Sequence, residues 1–359
     1  MVKFSLQIGS LAFATVGALL VGGCGSSSSD NPTPATTGSA STGGPSTGGA
    51  PASGQSNLSG SVKIDGSSTV FPIVDADGED FGKANPGVKP VVNKSGTGSG
   101  FQKFIRGDID IATASRPITS SEEDALKKAN IEYMEVPIAY DGVCIVVNPA
   151  NSAVASLTPA DLKKAWADGS TVKTWADWHA GWSATKINFY GPTDNHGTYE
   201  FFTEVIDGKK GNIRKDYQPN QDYNVIIQDV ATDKDGIGYC GLNYYLENKD
   251  KVKAVPIDGG KGPILPSEQA VDDGTYSPLS RPLFIYVNKK SYARPEVKAF
   301  VEFVLGPTGA NDIKEAKYVV LPKDVLDLVN KRVAAGTAGS IFDKAKPGTP
   351  TSQILLGAK

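Results

Sequence analysis

The chain has 359 residues, 36 of them basic and 39 acidic, for a net charge of −3. That balance argues against a nucleic-acid binder, which carries a basic excess. It does not exclude a local anion site, because a few well-aimed donors act without a global field.

Met1-Val2-Lys3 is a short basic start, and Leu6 to Val21 is mostly apolar. The apolar stretch is short for a membrane span and fits the core of a signal peptide over residues 1–23. Val21-Gly22-Gly23-Cys24 resembles a bacterial lipobox, in which cleavage leaves Cys24 as a lipidated N-terminus. An ordinary secretory signal with an incidental cysteine is the alternative. Residues 24–57 are almost entirely Gly, Ser, Thr, Pro and Ala. So few apolar side chains cannot offset the ordering entropy, so the stretch reads as a disordered tether with a reach of about 30 Å. The chain is expected to be exported and anchored to a membrane by lipid, with its folded part in water. About 300 residues remain from Leu58 on, enough for two lobes.

Strand and helix patterns then alternate. Val62-Lys63-Ile64-Asp65 reads as a strand ending at Gly66-Ser67-Ser68-Thr69. Val70, Ile73, Val74 and Phe81 follow at helical spacing. Val88 to Asn93 is a second strand and ends at Ser95-Gly96-Thr97-Gly98-Ser99-Gly100; Phe101, Phe104 and Ile105 open a helix. Ile109 to Ala112 is a third strand, ending at Ser115-Arg116-Pro117, and Ser120-x-x-Glu123 reads as a capping box. Val143 to Val147 is continuously apolar, as in a strand buried on both faces. Thr158-Pro159-Ala160-Asp161 starts another helix. Trp175, Trp178 and Trp182 have no clean period and read as a packing cluster. Ile187 to Tyr190 is a strand leading into Asp194-Asn195-His196-Gly197-Thr198, with Phe201, Phe202, Val205 and Ile206 on the helix after it. Leu283 to Val287 is a further strand, and Val297 to Leu305 line a helix that stops at Gly306-Pro307.

Such alternation indicates parallel βαβ units, whose ligands gather at the carboxyl ends of the strands. Three small-residue loops lie there, each before a helix. Helix N-termini offer unpaired N–H donors and a positive dipole end, so together the loops suggest a polydentate clamp for an oxyanion. Cys144 and Cys240 both sit in strand-like runs and are either a disulfide or two buried thiols.

Gly66-Ser67-Ser68-Thr69-Val70-Phe71-Pro72 and Ser95 to Phe101 resemble motifs of phosphate-binding PstS proteins. Ile111 to Ile118, with Ala114-Ser115-Arg116-Pro117, is similar to the SphX-like branch of that family. Asp141 to Pro149 resembles its first crossover between lobes, and Gly191 to Phe202 its second-lobe anion loop. The resemblance runs from about Leu58 to about Leu321. It implies a type II periplasmic binding protein fold: two α/β lobes joined by two crossover strands, with phosphate in the cleft and closure by hinge motion. Lobe I would be 58–140 plus 280–359 and lobe II 141–279, with crossings near Ala139–Val143 and Leu279–Leu283. The implied ligands are Ser68, Thr69 and Val70 at the first helix start and Ser99 and Gly100 at the second. Gly197 and Thr198 would close from the other lobe, and Arg116 would be the cationic clamp.

Two departures bear on the site. Many members carry an Asp where Arg116 stands and an Arg near where Pro192 stands. That Asp accepts the proton of hydrogen phosphate and penalises sulfate. Here Asp194 either takes over that acceptor role or closes its loop as an Asx residue. The second departure is His196, where a small Ser is common. It is either a charged donor, with affinity falling as pH rises, or a loop histidine whose backbone N–H binds.

No Gly-x-Ser-x-Gly elbow, P-loop lysine, dinucleotide fingerprint or His/Cys metal spacing occurs, so neither an enzyme nor a cofactor is expected. The resemblance implies a monomeric, lipid-anchored protein that delivers inorganic phosphate to the permease subunits of an ABC importer. Another tetrahedral oxyanion (sulfate, arsenate) or a non-transport sensor or adhesin is the alternative.

Overall fold

The computed structural model describes residues 58–194, 196–345 and 349–357, which belong to one compact unit. The signal segment, Cys24, the tether and Asn195 lie outside the described residues.

Strand β1 (Gly60–Gly66) buries Val62 and Ile64 completely. Helix α1 (Phe71–Ala84) carries Pro72 in its first turn and turns Ile73, Val74 and Phe81 inward. Then come β2 (Val88–Val92), α2 (Thr97–Ile105), β3 (Ile111–Ala114) and α3 (Ser120–Lys128). The capping box of α3 is one residue earlier than the sequence pattern suggested. Thr119 is the extended residue, and its side chain and that of Glu122 cap reciprocally. Strand β4 (Tyr133–Val147) is 15 residues long and buried throughout.

The second half contains α4 (Pro159–Trp166), α5 (Trp175–Trp178), β5 (Asn188–Pro192), α6 (Gly197–Asp207), β6 (Gln218–Asn220) and α7 (Tyr223–Thr232). After these come β7 (Gly236–Gly241), α8 (Leu242–Leu246) and β8 (Lys253–Ala254). A hairpin of β9 (Ile257–Asp258) and β10 (Pro263–Ile264), then α9 (Glu268–Asp272), leads to β11 (Ser280–Asn288). The chain ends with α10 (Lys289–Tyr292), α11 (Pro295–Val304), α12 (Pro307–Glu315), β12 (Val319–Val320), α13 (Lys323–Ala334) and α14 (Thr351–Gly357). Trp175 stacks on Trp178 at 6.0 Å with Trp182 against both, a packed cluster beside α4.

The strand order explains the two halves. One runs β2-β1-β3-β11-β4, the other β6-β5-β7-β4-β8. In each, three strands are parallel and the fourth is inserted antiparallel from the other half. The first part of β4 pairs with β11, and its last residues, Val143–Val147, pair with β7. The two crossing strands face each other at the changeover, with Arg281 opposite Asp141 and Ser280 opposite Gly142.

Cys144 and Cys240 are opposite each other on β4 and β7, but both are buried free thiols, so the disulfide alternative is corrected. Ile145 O accepts from Val255 N on the other side of β4. The pleat therefore makes Cys144 and Cys240 a hydrogen-bonded pair, held about 5.5 Å apart at Cα, with Cβ atoms farther apart than the roughly 3.8 Å a disulfide needs. Burial pushes both thiols up, Cys240 to about 12, which leaves them protonated and unreactive.

Candidate functional site

The first two loops and the end of β3 are locked together by close backbone approach. Ser67 N donates to Thr113 O at 3.0 Å and Gly96 N to Gly66 O at 2.7 Å. A Cβ on Gly66 would lie 2.2 Å from Thr113 O, and one on Gly100 would lie 2.6 Å from the Gly66 Cα, so both glycines are sterically required. Ser67 Oγ accepts from the Thr69 and Val70 N–H groups at 3.2 and 3.4 Å. Thr97 and Ser115 hydroxyls meet at 3.4 Å.

Side-chain caps close some helix starts in this molecule and leave others bare, α8, α11, α12 and α13 among the bare ones. Helices α3, α4 and α5 begin with full capping boxes on Thr119, Thr158 and Thr174, and Asp222 caps α7. Helices α1, α2 and α6 begin at Val70, Gly96 and His196 with no side-chain cap. The first-turn N–H groups of α2 and α6 are thereby available to an outside acceptor, whereas on α1 Phe71 N donates to Ser67 O at 3.0 Å and Ile73 N to Val70 O at 3.1 Å.

A cavity of about 340 Å³ opens between the halves. Ser68, Phe71, Pro72 and Lys94 wall it from the first half, and His196, Gly197, Thr198, Tyr223 and Tyr244 from the second. Asp141 lies at the crossing, and Glu315 to Tyr318 form a further wall. The starts of α1 and α6 touch here. A Cβ on Gly197 would come within 2.4 Å of Thr69 Oγ1, and Ser68 Oγ donates to Glu200 Oε2 at 3.0 Å.

Lys94 and Lys317 are the cations in the cavity wall, and beside it, against Asp141 and Thr69, lies a buried cation that the sequence reading missed, Arg281. Its side chain is only 11% exposed. Nη2 and Nε donate to Asp141 Oδ2 at 3.2 and 3.4 Å, Nη2 also reaches Thr69 Oγ1 at 3.3 Å, and the guanidinium lies 3.9 Å over the Phe201 ring. Asp141 is itself 3% exposed. Burial raises its carboxyl above the usual range, with Arg281 and the Gly142 N–H opposing only in part. Burial also raises the hydroxyls of Tyr223, which bonds Thr198, and Tyr318, which feels Asp141 and Arg281, so both stay neutral donors.

The other expected residues divide. Ser68, Thr69, Gly197, Thr198 and His196 converge on this point. Val70 is fully buried and its N–H is directed to Ser67, while Ser99 is exposed and Gly100 packs on Gly66, neither in the cavity wall. Arg116 does not line the cavity. Nη1 and Nη2 make a bidentate pair with Glu122 at 2.9 and 2.8 Å, and the bond to Glu122 raises its pKa. The capping box that orients Glu122 fixes Arg116 with it. Asp194 is exposed and lines a separate depression with Tyr199, Lys215 and Tyr217, so it does not face the cavity as an acceptor. His196 packs edge-on against Tyr223 at 4.9 Å, and burial lowers its pKa, the opposite of what a charged donor needs.

Ser280-Arg281-Pro282 repeats the tripeptide Ser115-Arg116-Pro117. An acid six residues on claims Arg116, whereas Arg281 enters an apolar strand with no acid within it. That difference was the available signal.

Residues 45–308 match the family described as the PBP superfamily domain. The protein SphX of Synechococcus elongatus is 40% identical over 284 residues, covering 78% of this chain and 83% of that protein. The phosphate-binding protein PstS of Staphylococcus aureus (strain USA300) is 43% identical over 270 residues, 75% of this chain and 80% of that protein. A solved structure described as a possible phosphate binding protein from Planctomyces limnophilus superposes with a TM-score of 0.76 at 42% identity, over 78% of this chain and all of that one.

Proposed function

This chain belongs to the PBP superfamily and, within it, to the family of PstS and SphX proteins, and we propose that it captures inorganic phosphate between its halves for delivery to an ABC-type importer. The reading rests chiefly on the buried Arg281–Asp141 pair, placed where the crossing strands face each other beneath the uncapped starts of α1 and α6. A desolvated guanidinium, hydroxyls of Ser68, Thr69, Thr198, Tyr223 and Tyr318, and the N–H groups at the start of α6 present many donors to a dianion. Charge-assisted bonds of this kind contribute roughly 1.5–3 kcal/mol each. Arg281 Nη1 makes no hydrogen bond among the described residues and remains available.

Asp141 takes the acceptor role that the sequence reading offered to Asp194. Its carboxylate accepts the proton that hydrogen phosphate carries, and it repels sulfate, which has none at neutral pH. Binding leaves the ligand chemically unchanged. The tether and lipid on Cys24 would keep a monomer near the permease; no helix among the described residues is long and apolar enough to cross a membrane.

Calorimetric titration of ligand-stripped protein with phosphate, sulfate and molybdate tests the reading. Phosphate should bind and sulfate should not. In Asp141→Asn the phosphate-to-sulfate ratio should fall by about tenfold or more, since an amide presents a donor where sulfate offers only acceptors. Unchanged selectivity in that variant would remove Asp141 from the role, and sulfate binding by the wild type would remove phosphate as the ligand.

A further inference from the structure

Behind the cavity, α1 packs on α12, and one carboxylate from each helix meets in the contact. Asp77 is 0% exposed and Asp312 4%. The two carboxyls lie close enough to act on each other, and both oxygens of Asp77 and Oδ2 of Asp312 have no hydrogen-bond partner among the described residues. Two ionised carboxylates cannot be bonded to each other, and a buried carboxylate without a donor is far too costly to persist as a charge. The contact needs something between the oxygens.

We propose that Asp77 and Asp312 share a single proton, and that this proton seats α12 on α1 and so sets the pH range in which the cavity keeps its wall. The link to the cavity is short. Helix α12 runs into Lys317, a non-glycine residue at φ 65°, and Glu315 to Tyr318 line the cavity. The same turn meets the second half, through Lys317 paired with Glu247 and Asn243 Nδ2 donating to Tyr318 O at 2.8 Å. Helix α1 begins at the Ser68–Thr69 loop. The pair therefore joins the helix that starts one wall to the helix that ends in another.

Among the described residues no cation is ion-paired with either carboxylate. Asp80 and Glu315 add negative field from α1 and α12, and Lys83, which feels Asp312, is exposed and already paired with Asp80 at 2.8 Å. Helix α11 faces α1 with Phe300 and Phe303 against Phe81, while its Lys298 and Glu302 pair with each other in the open. Strand β2 brings Pro90 and Val92 to Gly78, and its Lys89 is exposed. Burial, with Asp312 next, pushes Asp77 up to about 8.

The sign follows from linkage. An unfolded carboxyl gives up its proton near 3.8, whereas the folded pair keeps one to about 8. Between those values the folded state holds one more proton, so stability falls as pH rises and the decline ends once the pair has ionised.

Denaturant unfolding of ligand-free wild type and Asp77→Asn from pH 5 to 9.5 tests this. The unfolding constant of the wild type should rise, relative to the variant, by about tenfold per pH unit up to about pH 8 and then run level, one proton's worth. Asp312→Asn should behave as Asp77→Asn does. Parallel profiles for wild type and both variants would overturn the proposal. Stabilisation of chelator-treated wild type by calcium, magnesium or sodium, absent in Asp77→Asn, would also overturn it, because a metal ion then fills the contact. The cavity arm rests on the phosphate reading: phosphate affinity should fall between pH 7.5 and 9.5 in wild type and stay level in Asp77→Asn. Failure to bind phosphate at any pH would refute that reading and leave the unfolding result intact.

Discussion

The two halves of the sheet have one plan and use it differently. In each, the first strand feeds a helix whose start meets the cavity: β1 into α1, and β5 into α6. The second strand also feeds a helix in each, β2 into α2 and β6 into α7. There they part. Helix α2 starts at Gly96 with no side-chain cap, while α7 starts at Asp222, whose carboxylate accepts from Asn224 N at 2.8 Å. A carboxylate on a helix start occupies the donors and the positive dipole end that an anion needs. The first half therefore leaves the start of α2 free of any side-chain cap, while the second half puts a carboxylate on the start of α7. There the second half offers aromatic surface from Tyr223 and Tyr244. We read the first half as the seat for the anion and the second as the part that covers it.

The largest effect expected on this comparison comes from the strand crossing, which belongs to neither half alone. Arg281→Gln removes the buried guanidinium and leaves Asp141 facing the ligand unpaired. Truncating one partner of a desolvated charge pair costs about 2–5 kcal/mol, a loss of affinity between about thirtyfold and several-thousandfold. Arg116→Gln, which removes the same side chain from the same tripeptide in the first half, should change phosphate affinity by less than about twofold, since Glu122 already satisfies it. Calorimetry on the two variants reads this directly. Equal losses would mean that the first half supplies its own cation and that the crossing is only structural.

These two arginines also show what could be read in advance. The fold was legible because its signals are local: strands end at Gly66, Gly96 and Gly197 loops, and apolar spacing marks the helices after them. The crossing region was legible too, through Asp141-Gly142-Val143 and the run from Leu279 to Leu283. The pairing of Arg281 was not, because its acid stands 140 positions away in sequence and the register of two antiparallel strands brings them together. Arg116 looked like the clamp because its neighbours matched a motif, but the acid that claims it was hidden in a capping box read one residue out of place. Asp194 misled for a similar reason. Its loop does reach the cavity through His196, Gly197 and Thr198, yet the turn before α6 leaves Asp194 outside. The Asp77–Asp312 contact joins helices from the two ends of the folded chain, which no local pattern reports.

A smaller effect should come from the contact between the halves. Gly197 has a Cβ-sized space 2.4 Å from Thr69 Oγ1 and 2.7 Å from the Thr69 Cα, so Gly197→Ala forces the two helix starts apart. Overpacking of this kind costs about 1–3 kcal/mol. Because the cost falls on closure, it should appear as roughly tenfold or greater loss of affinity with little change in thermal stability of the ligand-free protein. Gly98, at the open start of α2, has nothing within 4 Å, and Gly98→Ala should leave both unchanged. A large drop in ligand-free stability for Gly197→Ala would show that the halves are packed together without ligand.

Asp222 gives the smallest and most discriminating change. Asp222→Ala removes a side-chain cap and should destabilise the protein by about 1 kcal/mol. On the division drawn here, phosphate affinity should not move, because α7 contributes its Tyr223 surface and not its N–H groups. A rise in affinity on removing that carboxylate would mean that the start of α7 is an anion seat held shut by its own cap, and the two halves would then differ only in how firmly each donor is masked. The expected result, lower stability with unchanged affinity, would instead trace the asymmetry to one residue, with an acid at the head of α7 where α2 has a glycine.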